Sequence, residues 1–428
     1  MSTSSLYELY KQRGTVSTDS RKIIPDSIFF SLKGPAFNGN EYAAQALEKG
    51  AAYAVVDEAA YAKSERFILV EDALMALQEL ATYHRMNMRL PVLAIAGSNG
   101  KTTTKELLQR ILTKKLKVFA TPGNLNNHIG VPLSLLQLRP EHDIAVIEFG
   151  ANHRGENRLL AEIALPDFGI VTNVGKDHLE GFGGIEGVKM ANKELYDFLE
   201  ENDGTAFINQ DDEELKKLAG SVKAVYYGTG SKSKYKGKIL NRFPFLKVAI
   251  NFYNKEKVEV QTHLFGSFHL QNILAVAAIG HYFGVAPADV AEAVESYKPD
   301  NNRSQVVQWK GNTLILDAYN ANPSSMQGAL ADFGDHPHPR KAVVLGDMHE
   351  LGEESEKEHR EIVDLLKKIN LQTVILIGSE FKKVKNKLKC IHFPNAGKLK
   401  AWLERQQFHD ALFFVKGSRG QQLEKAFE

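Results

Sequence analysis

The segment LAIAGSNGKTTTKELLQRIL, residues 93–112, carries a lysine and three threonines directly after a glycine-containing turn. An apolar run, a glycine turn and an amphipathic stretch together form the geometry of a phosphate-binding loop, because backbone N–H groups at a helix N-terminus face the anion. In that geometry Lys101 can reach the β- and γ-phosphates of a nucleotide, and the Thr102 hydroxyl can bind Mg²⁺. Gly97 and Gly100 let the backbone come close to the phosphates.

This loop departs from the full phosphate-loop pattern at one position. The full pattern has a glycine five residues before Gly100, and Ile95 stands there. A glycine-rich turn with an accidental lysine is therefore the alternative interpretation. We favour the phosphate loop, because strand, glycines, lysine–threonine pair and helix follow one another in the required order.

Glu148, further along the chain, is a candidate ligand for Mg²⁺, and a histidine and a lysine follow it. Glu148 lies near the end of the apolar run in DIAVIEFGANH, and the carboxyl ends of strands are where open parallel sheets bind ligands. His178 follows the next apolar run, in TNVGKDHLEGFG, and Lys193 lies on a predicted helix in VKMANKELYDF. Taken one at a time, an exposed strand-end glutamate, a surface or capping histidine and a solvated lysine remain alternatives. Lys189 would share the helical face of Lys193.

The elements around these residues predict an α/β fold with three domains. PVLAIA, residues 91–96, has the length and composition of a buried parallel strand. The helix after the loop would carry Leu107, Leu108 and Ile111 on one face, together with Leu112. Strands and helices continue to alternate, which predicts a central, mainly parallel sheet of phosphate-loop type with helices on both faces.

A polar joint, YKPDNNRSQ, separates this central domain from a second βα pattern that predicts a smaller Rossmann-like domain. The first 90 residues form a small α/β unit. We therefore predict domains at residues 1–90, 91–299 and 300–428.

Polar residues also follow two predicted strands of the last domain. Asp317, Asn320 and Asn322 follow one strand, and Pro323 is placed to begin a helix. Lys416, Ser418 and Arg419 stand at the end of the last predicted strand, before another predicted helix, an arrangement that favours anion binding. The free carboxylate of a peptide would suit this position, although ordinary solvated surface is the alternative.

Composition excludes several classes of function. The chain of 428 residues has a formal net charge of +1, which gives no global field for nucleic acid or membranes. A single cysteine, Cys390, cannot form an intrachain disulfide and suits a reducing cytoplasm. The N-terminus lacks an apolar signal core, and no run of 18 apolar residues indicates a membrane span.

Five segments together resemble the Mur ligases, ATP-dependent amide-forming enzymes that build the peptide stem of bacterial peptidoglycan. The segments are GSNGKTTTK, GNLNNHIGVP, VIEFGANH, TNVGKDHLEGFG and MANKELY. The shorter GxxGKT loop is that family's usual form, which accounts for Ile95. Three further segments, DAYNANPSSM, VLGDMHELG and VKGSRG, are most similar to the members that add D-alanyl-D-alanine to a UDP-N-acetylmuramoyl-tripeptide.

The resemblance implies roles for particular residues. For ATP these are Gly97, Ser98, Asn99, Gly100, Lys101, Thr102, Thr103, His269, Asn272, Arg303 and Asp317. For metal they are Thr102, Glu148, His178 and Lys193, the last as a CO₂-derived carbamate that would turn a cationic amine into an anionic oxygen ligand. Lys101, Lys193, Glu148, His178 and Asn127 are the implied catalytic residues, with Asn127 and His128 near the γ-phosphate and acyl group.

Substrate contacts are also implied, at Ser20, Arg21, Ser31, Lys33, Asn38, Asn320, Asn322, Lys416, Ser418 and Arg419. The text FNGN departs from the family's more usual xDGH, which leaves the contacts of Asn38 and Asn40 open, and surface charge is the alternative for Arg21 and Lys33. The first domain would bind the uridine-diphosphate sugar. The expected enzyme is a cytoplasmic monomer that uses ATP and two Mg²⁺ ions.

The expected reaction passes through an acyl phosphate. ATP would transfer its γ-phosphoryl group to the tripeptide carboxylate, and the amine of D-alanyl-D-alanine would displace phosphate. Two rival functions remain: a related ligase with another amine substrate, such as a folylpolyglutamate-synthase-like enzyme, and a non-catalytic nucleotide-binding scaffold.

Overall fold

The computed structural model describes residues 1–386 and 388–428, and it contains three α/β units in chain order. In the first unit the strands are β1 Val16–Ser17, β2 Ile28–Phe30, β3 Lys33–Gly34, β4 Phe37–Asn38, β5 Tyr53–Val56 and β6 Phe67–Leu69. Its helices are α1 Thr3–Arg13, α2 Ala43–Glu48 and α3 Ala73–Met88, with 3₁₀ turns at Gly39–Tyr42 and Ala59–Tyr61. The sheet β1-β2-β5-β6 is parallel throughout, and β3 and β4 form a hairpin.

The second unit contains the largest sheet. Its strands are β7 Val92–Ala96, β8 Val118–Ala120, β9 Ile144–Glu148, β10 Phe168–Val171, β11 Thr205–Asn209, β12 Lys223–Gly228, β13 Tyr235–Asn241, β14 Lys247–Asn251 and β15 Lys257–Gln261. Its helices are α4 Lys101–Leu112, α5 Gly130–Leu135, α6 Glu156–Ala164, α7 Leu179–Phe182, α8 Ile185–Glu201, α9 Glu213–Leu218, α10 His269–Tyr282 and α11 Pro287–Glu295.

The order of these strands is β15-β14-β13-β12-β11-β10-β7-β9-β8, and only the two pairings that involve β14 are antiparallel. Alternate residues of β7 enter two different cores. Val92, Ala94 and Ala96 pack in one core with residues of α3, α6 and α8, whereas Leu93 and Ile95 pack in the other with α4, α10 and α11. Burial on both faces explains the unbroken apolar text of this strand. The predicted central sheet with helices on both faces is confirmed.

The third unit is the predicted Rossmann-like domain. Its strands are β16 Gln305–Trp309, β17 Asn312–Asp317, β18 Lys341–Gly346, β19 Thr373–Ile377, β20 Ile391–Phe393 and β21 Leu412–Lys416. Its helices are α12 Pro323–Asp335, α13 Ser355–Leu366, α14 Ser379–Val384 and α15 Ala396–Leu403, with 3₁₀ turns at Gly352–Glu354, Arg419–Gln421 and Leu423–Ala426. The order is β16-β17-β21-β18-β19-β20, and only β16 is antiparallel to its neighbour.

The helix expected after the last strand is not formed, and this part of the sequence interpretation was wrong. Two short 3₁₀ turns follow β21 instead, and Gln422 between them has a left-handed φ of 48°. Gly417 and Gly420 disfavour a helix there, because glycine loses more backbone entropy than any other residue. Contacts of Lys416, Ser418 and Arg419 with an anion must therefore come from their side chains and not from a helix N-terminus.

The three units share buried surfaces. One apolar core joins Leu6, Phe30 and Leu77 of the first unit to β7 and α6 of the second. Another joins Leu179 and Phe182 of α7 to α12 and α13 of the third unit. The second and third units are therefore packed against each other where α7 meets α12 and α13. In the part of the chain that the structure describes, no helix is long and apolar enough to cross a membrane.

Candidate functional site

A cavity of about 720 Å³ opens between the second and third units, at the carboxyl ends of their parallel strands. The sequence-predicted residues that line it are Ser98, Asn99, Gly100, Lys101, Thr102, Thr103, Asn127, His128, Glu148, His178, His269, Asn272, Arg303, Asp317, Asn320, Asn322 and Lys416. Most of the predicted nucleotide and metal residues, which are scattered between positions 98 and 317 of the chain, therefore meet in one space.

The loop between β7 and α4 closes one side of the cavity. Gly97 has a φ of 120°, and a Cβ there would lie 2.2 Å from Thr172 Oγ1, so no other residue fits. Gly100 has a φ of 83° and lies close to the side chain of Asn272. The Lys101 ammonium donates to the carbonyl of Gly97 and lies 3.5 Å from that of Ser98. It forms no salt bridge with any residue that the structure describes, so its charge is available to a phosphate.

The loop is fixed to the next strand by hydrogen bonds. The backbone N–H of Asn99 donates to Asn173 Oδ1 at 3.1 Å, and Thr172 Oγ1 donates to the Asn99 carbonyl at 2.7 Å. The Ser98 hydroxyl donates to Asp177 and accepts from the backbone of Gly175. These bonds set the conformation of the loop.

Glu148, the last residue of β9, is 2% exposed. Its Oε1 accepts hydrogen bonds from Thr102 Oγ1 at 3.2 Å and from Asn126 Nδ2 at 2.9 Å. Its Oε2 accepts none from the residues described, although Lys105 Nζ lies 3.3 Å away. A hydroxyl beside a carboxylate with a free oxygen is the donor chemistry that Mg²⁺ prefers.

Asn127 and His128 lie at the cavity in the loop before α5. Asn127 Oδ1 accepts from the backbone N–H groups of Ile129 and Gly130, at 3.2 and 2.8 Å, and so fixes the start of the helix. The His128 carbonyl accepts from Gln78 of α3. The structure thus gives Asn127 a local structural task in addition to its place at the cavity.

His178 precedes α7 in a left-handed conformation, with a φ of 45°. Its side chain caps no helix, contrary to the alternative interpretation. Its Nδ1 lies 2.7 Å from Glu350 Oε2 of the third unit. The close approach of the His178 ring lowers the pKa of the Glu350 carboxyl. His178 therefore lies at the contact between two units as well as at the cavity.

Lys193 lies on α8 as predicted but does not line the cavity. Its ammonium pairs with Asp197 one turn further along the helix, and its side chain is 34% exposed. Lys189 pairs with Glu186 at 2.8 Å and Glu214 at 3.4 Å. Within the described residues no three His, Cys, Asp or Glu side chains are grouped closely enough to hold a metal ion. The metal role of Lys193 remains a prediction.

Lys416 and Asp317 end two adjacent strands, β21 and β17, on the opposite side of the cavity. Lys416 Nζ lies 2.5 Å from Asp317 Oδ2 and 3.2 Å from the Asn320 carbonyl, and the residue is 2% exposed. Asn322 caps α12 in a reciprocal pair with Ser325. Its Nδ2 also donates to Asn99 Oδ1 at 2.8 Å, which joins this side directly to the phosphate loop.

Two arginines lie on the ring of Tyr319, a residue that the sequence interpretation missed. The guanidinium carbon of Arg303 lies 3.7 Å from the ring centroid, and that of Arg419 lies 4.8 Å from it. Cation–π contacts of this kind orient a guanidinium without neutralising it. Arg303 and Tyr319 line the cavity, whereas the exposed Arg419 does not. Ser418 is buried, and its hydroxyl oxygen accepts a hydrogen bond from the backbone N–H of His349.

His269 begins α10 and is 3% exposed. Burial lowers its pKa to about 4, so the ring is neutral near pH 7. Its Nε2 lies 3.3 Å from Ser304 Oγ, and Asn272 Nδ2 lies 3.4 Å from its Nδ1. A neutral imidazole and an amide at the rim suit hydrogen bonding to an uncharged base.

The predicted sugar-binding residues lie in the first unit, and none of them lines the cavity. Arg21 pairs with Asp19 at 2.8 Å and its side chain is 85% exposed, and the carbonyl of Ser20 accepts from Lys49. Lys33 pairs with Asp57 and Glu58, at 2.9 and 3.0 Å. The buried Ser31 hydroxyl has no partner among the described residues, and Asn38 donates to Glu58. Their role stays a prediction.

Sequence reasoning missed several residues in or beside the site, among them Lys105, Asn126, Tyr319 and Glu350. Two had a usable signal. Lys105 lies three residues after Thr102, so both share one face of a helix, and Asn126 lies inside the quoted segment GNLNNHIGVP. Tyr319 lies inside the quoted segment DAYNANPSSM, but the sequence of this segment does not indicate a contact with Arg303. Nothing in the sequence around Glu350 indicates a partner in another unit.

Comparisons with known proteins agree across the whole chain. Models of three domains match: the Mur ligase family catalytic domain at residues 14–85, the Mur ligase middle domain at 95–280 and the Mur ligase glutamate ligase domain at 302–419. The UDP-N-acetylmuramoyl-tripeptide–D-alanyl-D-alanine ligase of Bacillus subtilis is 32% identical over 427 residues, which covers 96% of this chain and 91% of that protein.

Solved structures give the same result. MurF from Acinetobacter baumannii superposes with a TM-score of 0.87 at 30% identity, covering 96% of this chain and 92% of that one. MurF ligase from Thermotoga maritima in complex with ADP superposes with a TM-score of 0.86 at 28% identity, covering 96% of each chain.

Proposed function

The chain belongs to the Mur ligase family, and we propose that it joins D-alanyl-D-alanine to UDP-N-acetylmuramoyl-tripeptide in an ATP-dependent reaction. The products are the UDP-N-acetylmuramoyl-pentapeptide, ADP and phosphate, and the pentapeptide is a precursor of peptidoglycan. Relatives with this activity in their names match almost the full length of the chain, which favours this amine over those of other Mur ligases.

One observation carries the proposal: the phosphate loop and the strand ends of the third unit face the same cavity. Lys101 lies on one side of it, and Lys416 with Asp317 lies on the other. Joining a carboxylate to an amine requires a nucleotide and two further substrates in one water-poor space, since an activated acyl group is readily hydrolysed. A scaffold that only binds a nucleotide needs no such second wall.

The proposed chemistry needs positioning and charge neutralisation more than covalent work by the protein. The γ-phosphoryl group passes from ATP to the carboxylate of the tripeptide, and ADP leaves. The amine of D-alanyl-D-alanine then attacks the acyl carbon, and phosphate leaves. Lys101 would balance the charge on the transferring group. The contacts between α7 and the third unit would keep water out during both steps.

Thr102 and Glu148 fit a magnesium ion, because their oxygens lie together and Glu148 Oε2 is buried without a hydrogen bond. A bound ion would neutralise phosphate charge during transfer. We further propose that His178 and a carbamate on Lys193 help to organise a second ion. Lys193 would have to exchange its present partner, Asp197, for that role.

A substrate panel tests the function. Purified protein should release phosphate from ATP in the presence of UDP-N-acetylmuramoyl-tripeptide and D-alanyl-D-alanine, and mass spectrometry should find the pentapeptide. Diaminopimelate, lysine or glutamate offered as the amine, each with its own carboxylate substrate, should give little product. A preference for one of these would assign a related ligase, and nucleotide binding without any amide formation would assign a scaffold.

The Lys193 carbamate has its own test. If the residue carries a carbamate, Lys193→Ala should lose most of its rate with an intact fold, and formate or acetate in solution should restore part of it. Lys189→Ala, on the same helical face, is the matched control and should keep its rate. Full activity of Lys193→Ala in CO₂-depleted buffer would remove this residue from the metal site.

We also propose a cytoplasmic monomer. The single cysteine, Cys390, suits a reducing compartment, and sedimentation of the purified protein would measure its oligomeric state.

A further inference from the structure

Lys105 lies on α4 one turn after Thr102, in a buried position that the proposed chemistry does not use. Lys105 is 3% exposed and its neighbour Glu148 is 2% exposed. The Lys105 ammonium donates to the carbonyl of Gly123 at 2.8 Å and lies 3.3 Å from Glu148 Oε2. This one side chain therefore ties α4 to the loop before α5 and to the end of β9.

The two oxygens of Glu148 have different surroundings. Oε1 is held by Thr102 and Asn126. Oε2 has an ammonium beside it but accepts no hydrogen bond from the residues described, so its lone pairs remain open to a ligand. A buried carboxylate without an opposite charge is strongly destabilising, and Lys105 supplies that charge.

We propose that Lys105 is a positioning residue: it is the resident counter-ion of Glu148, and it disfavours metal binding there before the nucleotide arrives. This inference rests on the proposed metal role of Glu148. A divalent cation that reaches Oε2 alone meets the ammonium of Lys105 at short range, where like charges repel strongly. A cation that arrives with nucleotide phosphates brings its own compensating negative charge. Metal and nucleotide therefore bind together.

Lys105 also positions the loop that carries Asn126, Asn127 and His128. The contact with the Gly123 carbonyl fixes the start of this loop, and the Asn126 side chain fixes its middle to Glu148. Loss of the ammonium would therefore loosen the side of the cavity that faces the transferring group, and would do so without removing any group that touches a substrate.

Thermal unfolding without nucleotide provides the first test. Lys105→Met removes the charge at similar length, and its Tm should fall by about 5 °C or more, because a buried charge loses its partner. Mg²⁺ alone should raise the Tm of this variant far more than that of the wild type. The double variant Lys105→Met/Glu148→Gln should recover much of the lost Tm and should not respond to Mg²⁺.

Lys114→Met is the matched control. Lys114 lies just after the C-terminal end of the same helix, α4, and pairs with Glu292 at 2.7 Å, but both side chains are partly exposed. Exposed pairs of this kind contribute little, so neither Tm nor its response to Mg²⁺ should change. Lys105→Arg keeps the charge and should resemble the wild type in its response to Mg²⁺, even if the larger side chain lowers Tm.

Metal binding provides the second test, with a readout other than activity. Mn²⁺ binding without nucleotide, measured by electron paramagnetic resonance, should be at least about tenfold tighter in Lys105→Met than in the wild type. Equal affinities, together with a Tm loss that neither Mg²⁺ nor Glu148→Gln reverses, would leave Lys105 a packing residue and overturn the proposal.

The outcomes separate this inference from the proposed function. If Glu148→Gln alone leaves Mn²⁺ binding with ATP unchanged, the metal role of Glu148 is wrong, and the counter-ion proposal falls with it. If Glu148→Gln abolishes that binding while Lys105→Met changes nothing, only the role of Lys105 is wrong and the ligase assignment stands. If Lys105→Met fails to fold, the double variant Lys105→Met/Glu148→Gln still decides. A double variant that folds and whose Tm does not respond to Mg²⁺ supports the counter-ion role. A double variant that also fails to fold contradicts it.

Discussion

Two lysines face the same cavity from opposite sides, and their partners differ. Among the residues that the structure describes, the Lys101 ammonium in the phosphate loop hydrogen-bonds only to the backbone carbonyls of Gly97 and Ser98. Lys416, at the end of β21, is 2% exposed and pairs with Asp317 at 2.5 Å. The first side therefore presents a cation whose charge is free for a ligand, and the second presents a cation whose charge is already balanced. A lysine that faces the cavity can thus serve binding or structure, and its neighbours decide which.

Substitution of Lys101 should have the largest effect and tests most directly whether the two lysines differ in role. Lys101→Ala should reduce kcat/KM at least a hundredfold, on the order of 3 kcal/mol of transition-state stabilisation, because the other lysine that lines the cavity in the described structure, Lys416, is paired with Asp317. Its Tm should stay near the wild-type value, since no salt bridge is lost. Steady-state phosphate release and thermal unfolding measure the two quantities. Near-normal turnover would refute the assignment of the loop.

Lys416 should show the opposite balance of effects. Lys416→Met leaves Asp317 without its partner in a largely buried place, which should cost about 3 kcal/mol of stability. The double variant Lys416→Met/Asp317→Asn should regain much of that loss. Thermal unfolding of both variants checks this, and unchanged stability in Lys416→Met would show that the pair is unimportant to the fold.

His269 links the two sides through Ser304, whose N–H donates to Asp317, and its effect should be smaller. Its pKa is about 4 in the folded chain, because of burial, and about 6.5 in the unfolded chain. As pH falls from 6.5 towards 4, the unfolded chain binds a proton that the folded chain excludes, so stability falls. The loss should be about 2 kcal/mol at pH 5.

Tm profiles between pH 7 and 5 for wild type and His269→Gln measure this contribution. The variant should lose less stability over that window, although its Tm at pH 7 is lower. Parallel profiles would mean that the ring is accessible to protons in the folded state.

Asn322 should have the smallest effect, because it combines a helix cap with one hydrogen bond to Asn99 across the cavity. Asn322→Ala should lower stability by about 1 kcal/mol. Both Asn322→Ala and Asn322→Ser lack the amide that reaches Asn99, so both should raise KM for ATP by a few-fold. Asn322→Ser keeps a hydroxyl that can cap the helix, so its stability should be close to that of the wild type. Equal KM values in both variants and the wild type would show that the two sides are not coupled through this bond.

The local sequence was enough to predict the strands and the helix that carry the site residues. PVLAIA is apolar throughout because β7 is buried on both faces, and Leu107, Leu108 and Ile111 share the buried face of α4. Glu148, Asp317 and Lys416 were predicted at strand ends and each is the last residue of its strand. Such features depend on neighbours within one turn or one strand, so they can be read from a short window.

The sequence by itself thus determined the family, the loop before α4 and the strands that carry the site, although it predicted one helix, after β21, that is not formed. Only the tertiary structure decided which side chains meet, because that depends on the order of strands in each sheet and on how two sheets face each other. The adjacency of β7 and β9 brings Lys105 and Thr102 of the helix after β7 to Glu148. Packing of α7 against the third unit joins His178 to Glu350. Whether a buried lysine keeps its charge for a ligand or shares it with a carboxylate follows from these long-range contacts, since charge is balanced in space and not along the chain.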